Sequence, residues 1–152
     1  MTHSWKSLIG GFAVVLLLAL PSGAQQPTYR QVANPFQEEY AYHVGDSLAP
    51  NVEVSGVRWT LVRVEPLSEP PFESGRAVKV RVHFGFDNVG ESSSKVDVVL
   101  LFEDGQGSLL HRLECKTVKV RTGEPRTYEQ TYKIQADVLT ATGKLYVFAD
   151  VE

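Results

Sequence analysis

The stretch VRVHFGFDNVGESSSKVDVVLLFEDGQGSLL, residues 80–110, contains two apolar runs that keep a period of two, each followed by a polar turn. In the first run, extended back by one step, Val78, Val80, Val82, Phe84 and Phe86 share one parity, while Lys79, Arg81 and His83 share the other. Successive side chains of a strand point to opposite faces, so this spacing predicts a strand with one apolar face. Each of those side chains is worth about 1.5–3 kcal/mol when buried, which puts the strand at the centre of a core. Asn88 and Gly90 are expected to take positive-φ positions in the following loop, and its serines keep that loop wet. Val96, Val98, Leu100 and Phe102 resume the alternation. Val99 and Leu101 make the second face apolar too, which predicts a strand covered on both sides at one end. Asp104, Gly105 and Gly107 then signal a hairpin into a strand that begins near Leu109.

The same period extends in both directions. Val57, Trp59 and Leu61 alternate with Arg58 and Thr60, predicting a strand that ends near Pro66, and Pro70, Pro71 and Gly75 mark the loop after it. On the other side, Leu109, His111, Leu113 and Cys115 lie on one parity and Val118 and Val120 on the other, so a bulge is expected near Lys116. Tyr128, Gln130, Tyr132 and Ile134 predict another strand, as do Leu145, Val147, Ala149 and Val151; IQADVLTA between them is a crossing loop or one short helical turn. Short strands with polar turns about every ten residues and no amphipathic helix give an all-β fold, an antiparallel immunoglobulin-like β-sandwich over residues 52–152. The tyrosine-corner and Cys–Trp–Cys signatures of that fold are missing from the pattern.

The N-terminus reads as a signal peptide over residues 1–24. Lys6 and the terminal amine precede an uncharged run from Leu8 to Leu20, Pro21 ends any helix, and Ser22 and Ala24 are small residues suited to a cut before Gln25. The uncharged run would span about 20 Å as a helix, short of the roughly 30 Å hydrocarbon core, so cleavage is expected over a retained anchor. No cysteine stands at the cut for a lipid anchor, and no other run is long enough to span. The expected product is soluble and extracytoplasmic, in the periplasm or secreted. Its 15 Lys and Arg side chains less Lys6 leave 14 against 18 Asp and Glu, a formal net charge of −4 that argues against nucleic acid as a partner. Cys115 is the only cysteine, so no internal disulfide supports the domain and its core must suffice.

Residues 25–51 carry Pro27, Pro35 and Pro50 and keep no steady period, which predicts an extended aromatic and proline-rich arm. Phe36, Tyr40 and Tyr42 are its notable residues, because each ring removes about 150–250 Å² from water when covered. They either pack on the arm's own domain or dock on a protein partner or a second copy of the chain.

The succession of a strand, DNVGESSSKVDVVLLFEDGQGSLL, a strand and VRTGEPRTYEQTYKI resembles the Ig-like extracytoplasmic domains of the FxLYD and CARDB kind. The resemblance covers residues 78–134 and lies in turn chemistry: an Asn-x-Gly-like turn, an acidic-glycine hairpin and a Gly-Glu turn. LLFEDGQG departs from the tyrosine-aspartate pair that gives the first family its name. The resemblance implies an adhesion, envelope or accessory module without catalytic residues, and it carries over no site.

Residue chemistry points the same way. There is no Gly-x-Ser-x-Gly elbow, and His111, four residues from Cys115, stands about 13 Å away along a strand, too far for a thiol–imidazole hydrogen bond. His43, His83 and His111 are scattered without zinc-ligand spacing, so neither metal nor cofactor is expected, and the chain is not read as an enzyme. Lys79, Arg81 and His83 form a basic stripe able to meet an acidic polymer or a carboxylate. Trp59 could stack on a sugar, but its parity with Val57 and Leu61 assigns it to the core. The expectation is an exported noncatalytic interaction or accessory module that binds a protein partner through its arm or a sheet edge; the alternative is a carbohydrate-binding module of an envelope system, marked by exposed aromatics on one sheet face.

Overall fold

Valine- and aromatic-rich segments become strands throughout residues 26–152, the part of the chain that this computed structural model describes. The expected leader and its cut lie outside those residues. In chain order the elements are β1 (Arg30–Val32), β2 (Phe36–Ala41), β3 (Ser47–Leu48), β4 (Val52–Val54), β5 (Val57–Pro66), β6 (Ala77–Asn88), β7 (Ser94–Glu103), β8 (Leu109–Glu114), β9 (Val118–Val120), β10 (Arg126–Gln135), α1 (Ala136–Ala141) and β11 (Lys144–Val151). The first sheet has the order β1-β4-β5-β6-β10, with β3 beside β5; the second has the order β2-β11-β7-β8, with β9 beside β7. Every strand pairing is antiparallel except β1 with β4. The result is an all-β sandwich with one core between two sheets. No helix among the described residues is long and apolar enough to cross a membrane.

β6 lies where its alternation puts it, between β5 and β10, with Val80, Val82 and Phe84 fully buried. Phe84 stacks on Phe86 at 6.0 Å, and Trp59 lies 5.5 Å from Phe86 and 6.2 Å from Phe84, which builds an aromatic centre in the first sheet. The second sheet faces it with Leu100, Phe102, Leu145 and Val147, all fully buried.

The expected inward position of Leu61 is corrected by a bulge. The register of β5 on β6 shifts between Trp59 and Leu61, so Val57 and Trp59 point inward before it and Val62 and Val64 after it, leaving Leu61 only half-buried. A bulge places two residues opposite one and reverses the parity beyond it, which a period count from Val57 cannot anticipate. Gly85 makes room for it: a Cβ there would collide with Thr60 Oγ1 and stand 2.9 Å from Leu61 Cβ. The bulge also turns the Leu61 carbonyl to accept the Trp59 indole N–H at 3.0 Å, so the buried ring keeps a polar partner.

Asn88 and Gly90 do not adopt positive φ. Asn88 works through its side chain instead, 1% exposed at the end of β6. Its amide donates to Ser92 O at 2.9 Å and to Val120 O at 3.1 Å, and its Oδ1 accepts from Gly90 N at 2.9 Å, so one residue pins the β6–β7 loop and ties the first sheet to β9 of the second. In the β7–β8 hairpin the Asp104 carboxylate accepts from Gln106 N at 2.8 Å and Ser108 N at 2.9 Å, and Gly107 supplies the positive φ.

The segment read as an extended arm is woven into both sheets. β1 and β3 belong to the first and β2 to the second, where it runs beside β11. Its prolines stand at the joints: Pro35 precedes β2 and Pro50 precedes β4. Asn34 extends the β2 edge by side chain alone, its amide donating to Val151 O at 2.8 Å and its Oδ1 accepting from Val151 N at 3.0 Å. The bulge expected near Lys116 is a break, residues 115–117, that divides one edge into β8 and β9. Gln130 of β10 fills the break from the opposite sheet, accepting from Lys116 N at 2.9 Å and donating to Lys116 O at 2.7 Å. Of IQADVLTA, Ile134 and Gln135 end β10 and ADVLTA folds as α1, which buries Ala136 and Leu139 at one end of the sandwich.

Candidate functional site

The structure separates the six residues singled out from the sequence. Phe36 is 4% exposed and meets Trp59 edge-on at 6.1 Å; it is core. Tyr42 is 2% exposed, and its hydroxyl donates to Asp46 O at 3.0 Å while accepting from Val64 N at 2.9 Å. Burial pushes its phenol up to about 12. Tyr40 is half-buried with its hydroxyl donating to Glu38 at 2.9 Å; burial, then that carboxylate, raise its phenol. Phe36 and Tyr42 are built into the core of their own domain, while Tyr40 stays half-buried on the edge strand β2. Lys79, Arg81 and His83 stand apart from them, on the outer face of the first sheet.

That face is a lattice of opposite charges. His83 lies between two carboxylates, Nε2 at 3.0 Å from Glu65 and Nδ1 at 3.3 Å from Glu129, and Arg81 approaches Glu129 at 3.6 Å. Arg63 reaches Glu65 at 3.5 Å, while Arg58 bridges Glu53 at 3.0 Å and Asp87 at 3.7 Å. The Glu65 carboxyl is held below its ordinary value, first by the His83 hydrogen bond. The acids that neutralise the stripe arrive from β5 and β10, so the alternation within β6 does not show them. Lys79 remains exposed opposite Lys133.

The outer face of the second sheet is built differently. β7 sends Val99 and Leu101 outward, and β11 sends Tyr146 and Phe148; in register, Phe148 stands beside Val99 and Tyr146 beside Leu101. All four are half-buried, and with Arg112 they line an open apolar groove of about 160 Å³. Leu109, 59% exposed, prolongs the apolar surface along β8. The Tyr146 hydroxyl is held by Gln37 Oε1 at 2.6 Å, which fixes the ring on the sheet. The two-sided cover expected over Val99 and Leu101 is absent among the described residues: their face is open.

Charged residues frame this groove. Lys144 Nζ lies 2.8 Å from Glu39, whose carboxyl it holds low, while Glu103 is raised, first by burial and then by the neighbouring Glu39. Glu103 Oε2 is buried and has no hydrogen-bond partner. Arg112 and Glu114 border the groove on β8. Sequence reasoning misses Tyr146, Phe148 and Arg112 because Leu145, Val147 and Ala149 supply an adequate core parity. The signal is present in LYVF beside VVLL, two runs apolar on both parities.

The thiol shows no activation. Burial pushes Cys115 up to about 12, with Tyr132 beside it, and burial lowers His111, whose ring lies 6.0 Å from Phe102. No cluster of His, Cys, Asp or Glu suited to a metal ion occurs among the described residues. An open cleft of about 340 Å³ lies between Val44, Arg63, Glu65, Glu69, Phe72 and Leu139. No protein-family model matches the chain, and no curated protein matches it.

Proposed function

We propose that the chain is an exported, noncatalytic interaction module with an immunoglobulin-like sandwich, and that it binds protein through the outer face of its second sheet. The observation that carries this reading is the open apolar stripe of Val99, Leu101, Tyr146 and Phe148, rimmed by Arg112, Glu114, Glu39 and Lys144. An apolar centre with two aromatics and an arginine inside a charged border is the anatomy of a protein interface. The docking role expected of the arm passes to this face, since Phe36 and Tyr42 are spent on the core. The edge strand β10 carries Arg126, Glu129 and Lys133, charges that discourage strand addition there.

A photo-crosslinking residue at position 146, in the chain produced by its own host, tests the reading. Adducts of protein mass are expected at 146 and none at position 79 of the ion-paired face; no adduct at 146 would overturn it. The aromatic pair Tyr146 and Phe148 favours carbohydrate as a second reading, through stacking on a sugar ring. Saturable binding of soluble oligosaccharides that Phe148→Ser abolishes, with no protein adduct, would establish that reading instead.

A further inference from the structure

We propose that the outer face of the second sheet pairs with the same face of a second copy of this chain, about a two-fold axis that runs along the strands between β11 and β7. This rests on the reading of that face as a protein-docking surface and names its occupant.

Strand register selects the pairing. Across the sheet, directly opposed residues form rows in the order β2, β11, β7, β8, and residues of one row point to the same face. A two-fold axis in the interface plane and along the strands exchanges the two ends of each row. It lays β8 of one copy over β2 of the other, and β7 over β11. The central row is Glu39, Tyr146, Leu101, Arg112. Its exchange puts Tyr146 on the second copy's Leu101 and Arg112 on the second copy's Glu39, an apolar match inside a charge match. In the next row Phe148 meets Val99 and Glu114 meets Gln37. On the other side Lys144 meets Glu103, the carboxyl group with an unpartnered oxygen, and the exposed Leu109 meets Ala41.

A perpendicular in-plane axis through the central row lays each strand over its own copy and sets Arg112 on Arg112 and Glu39 on Glu39, like charges that repel. One row opposes the proposed arrangement: Asp150 would face Asp97. It stands at the margin, next to a row in which Glu152 would face Lys95. Packed sheets cross at about 30° because each is twisted, so the axis lies about 15° off the strands and the fit is tightest in the central row. An isologous contact of this sort closes on itself and leaves no apolar face exposed to recruit further copies.

Sedimentation equilibrium and light scattering on the full chain as purified test the proposal. A dimer is expected at micromolar concentration. Arg112→Glu and Glu39→Arg should each weaken it by about tenfold or more, and their combination should restore it. Asp150→Asn should tighten it. Circular dichroism melts of all variants separate a lost contact from a lost fold, and restoration by the double reversal excludes a merely structural role for the Glu39–Lys144 pair. A chain that stays monomeric at high micromolar concentration would overturn the proposal, as would a dimer indifferent to the reversals. Crosslinked adducts from position 146 then tell the two readings apart. Adducts of twice the chain's mass support the dimer, adducts of other masses leave the docking surface standing with a different partner, and their absence removes both.

Discussion

The two sheets share one core yet finish their outer surfaces in opposite ways. The first sheet covers itself: Arg58, Arg81 and His83 each find a carboxylate on a neighbouring strand of the same sheet, and Arg63 finds Glu65 on its own strand. The second leaves Val99, Leu101, Tyr146 and Phe148 only half-buried, on strands whose other parity already fills the core. Charge that is satisfied within the chain gives a partner little to gain, since an exposed ion pair is worth about 0–1 kcal/mol and a newcomer must compete with it. Apolar surface left open gains about 25 cal/mol for each Å² that a partner covers. For the proposed docking role, the unfinished surface is therefore the one to test, rather than the most charged one.

The largest test compares two phenylalanines. Phe84 is fully buried in the first sheet and Phe148 points outward from the second. Phe84→Ala should cost about 3–5 kcal/mol in urea unfolding, and Phe148→Ala less than about 1 kcal/mol in the monomer. Equal losses would mean that the face of Phe148 is covered after all.

Within the first sheet, the sharper probe is Gly85. Any side chain there must displace Thr60 and Leu61, so Gly85→Ala should cost about 1–3 kcal/mol and loosen the bulge that orients the Trp59 indole. The measurement is the urea midpoint together with tryptophan fluorescence. An unchanged midpoint would show that the bulge moves aside freely.

Next comes the behaviour at high pH. Tyr42 and Cys115 are both acids held neutral by burial, each raised to about 12 from ordinary values of 10.0 and 9.0. A raised acid is protonated in the folded chain and ionises sooner when unfolded. The stability it contributes is therefore complete below the ordinary value and is lost as pH rises through the folded one. Thermal melts should fall steadily above pH 9, and more gently in Cys115→Ala, measured against that variant's own neutral-pH melt. An identical alkaline slope with and without Cys115 would show that the thiol is not linked to folding.

The smallest effect belongs to the ion-paired face. Arg81→Ala should change stability by no more than about 0.5 kcal/mol, and Glu129→Gln by a similar amount, because both groups are solvent-exposed. A loss several times larger in either would mean that the lattice around His83 acts as a buried network.

Much of both sheets is legible as pattern. β6 needs only its own alternation, and the β7–β8 hairpin needs only Asp104 and the glycines that follow it. The features that escape the pattern are those in which a residue answers to something distant in sequence. The bulge at Thr60 depends on a glycine in the next strand, so β5 taken alone predicts the wrong parity past Trp59. β2 shows no period because Glu38 and Tyr40 occupy its inward parity near the sheet margin, where Tyr40 hydrogen-bonds Glu38. Asn88 is recognisable as a loop residue by type, but its role as a bridge between sheets requires Val120 to be brought beside it. Tyr146 and Phe148 alternate as regularly as the core residues between them, yet one complete apolar parity already accounts for the strand. Only the register, which sets Phe148 beside Val99 and Tyr146 beside Leu101, joins the other parity into a surface.

The placement of β11 bears on how the chain is made. It forms the middle of the second sheet, between β2 and β7, yet a ribosome delivers it long after both. Until Lys144–Val151 emerges, β2 has no neighbour in its sheet and β7 has only the β8–β9 edge. The first sheet needs nothing beyond β10 and can pair from its hairpins while synthesis continues. One layer can therefore begin to pair while the other waits for the long-range insertion of β11 between β2 and β7.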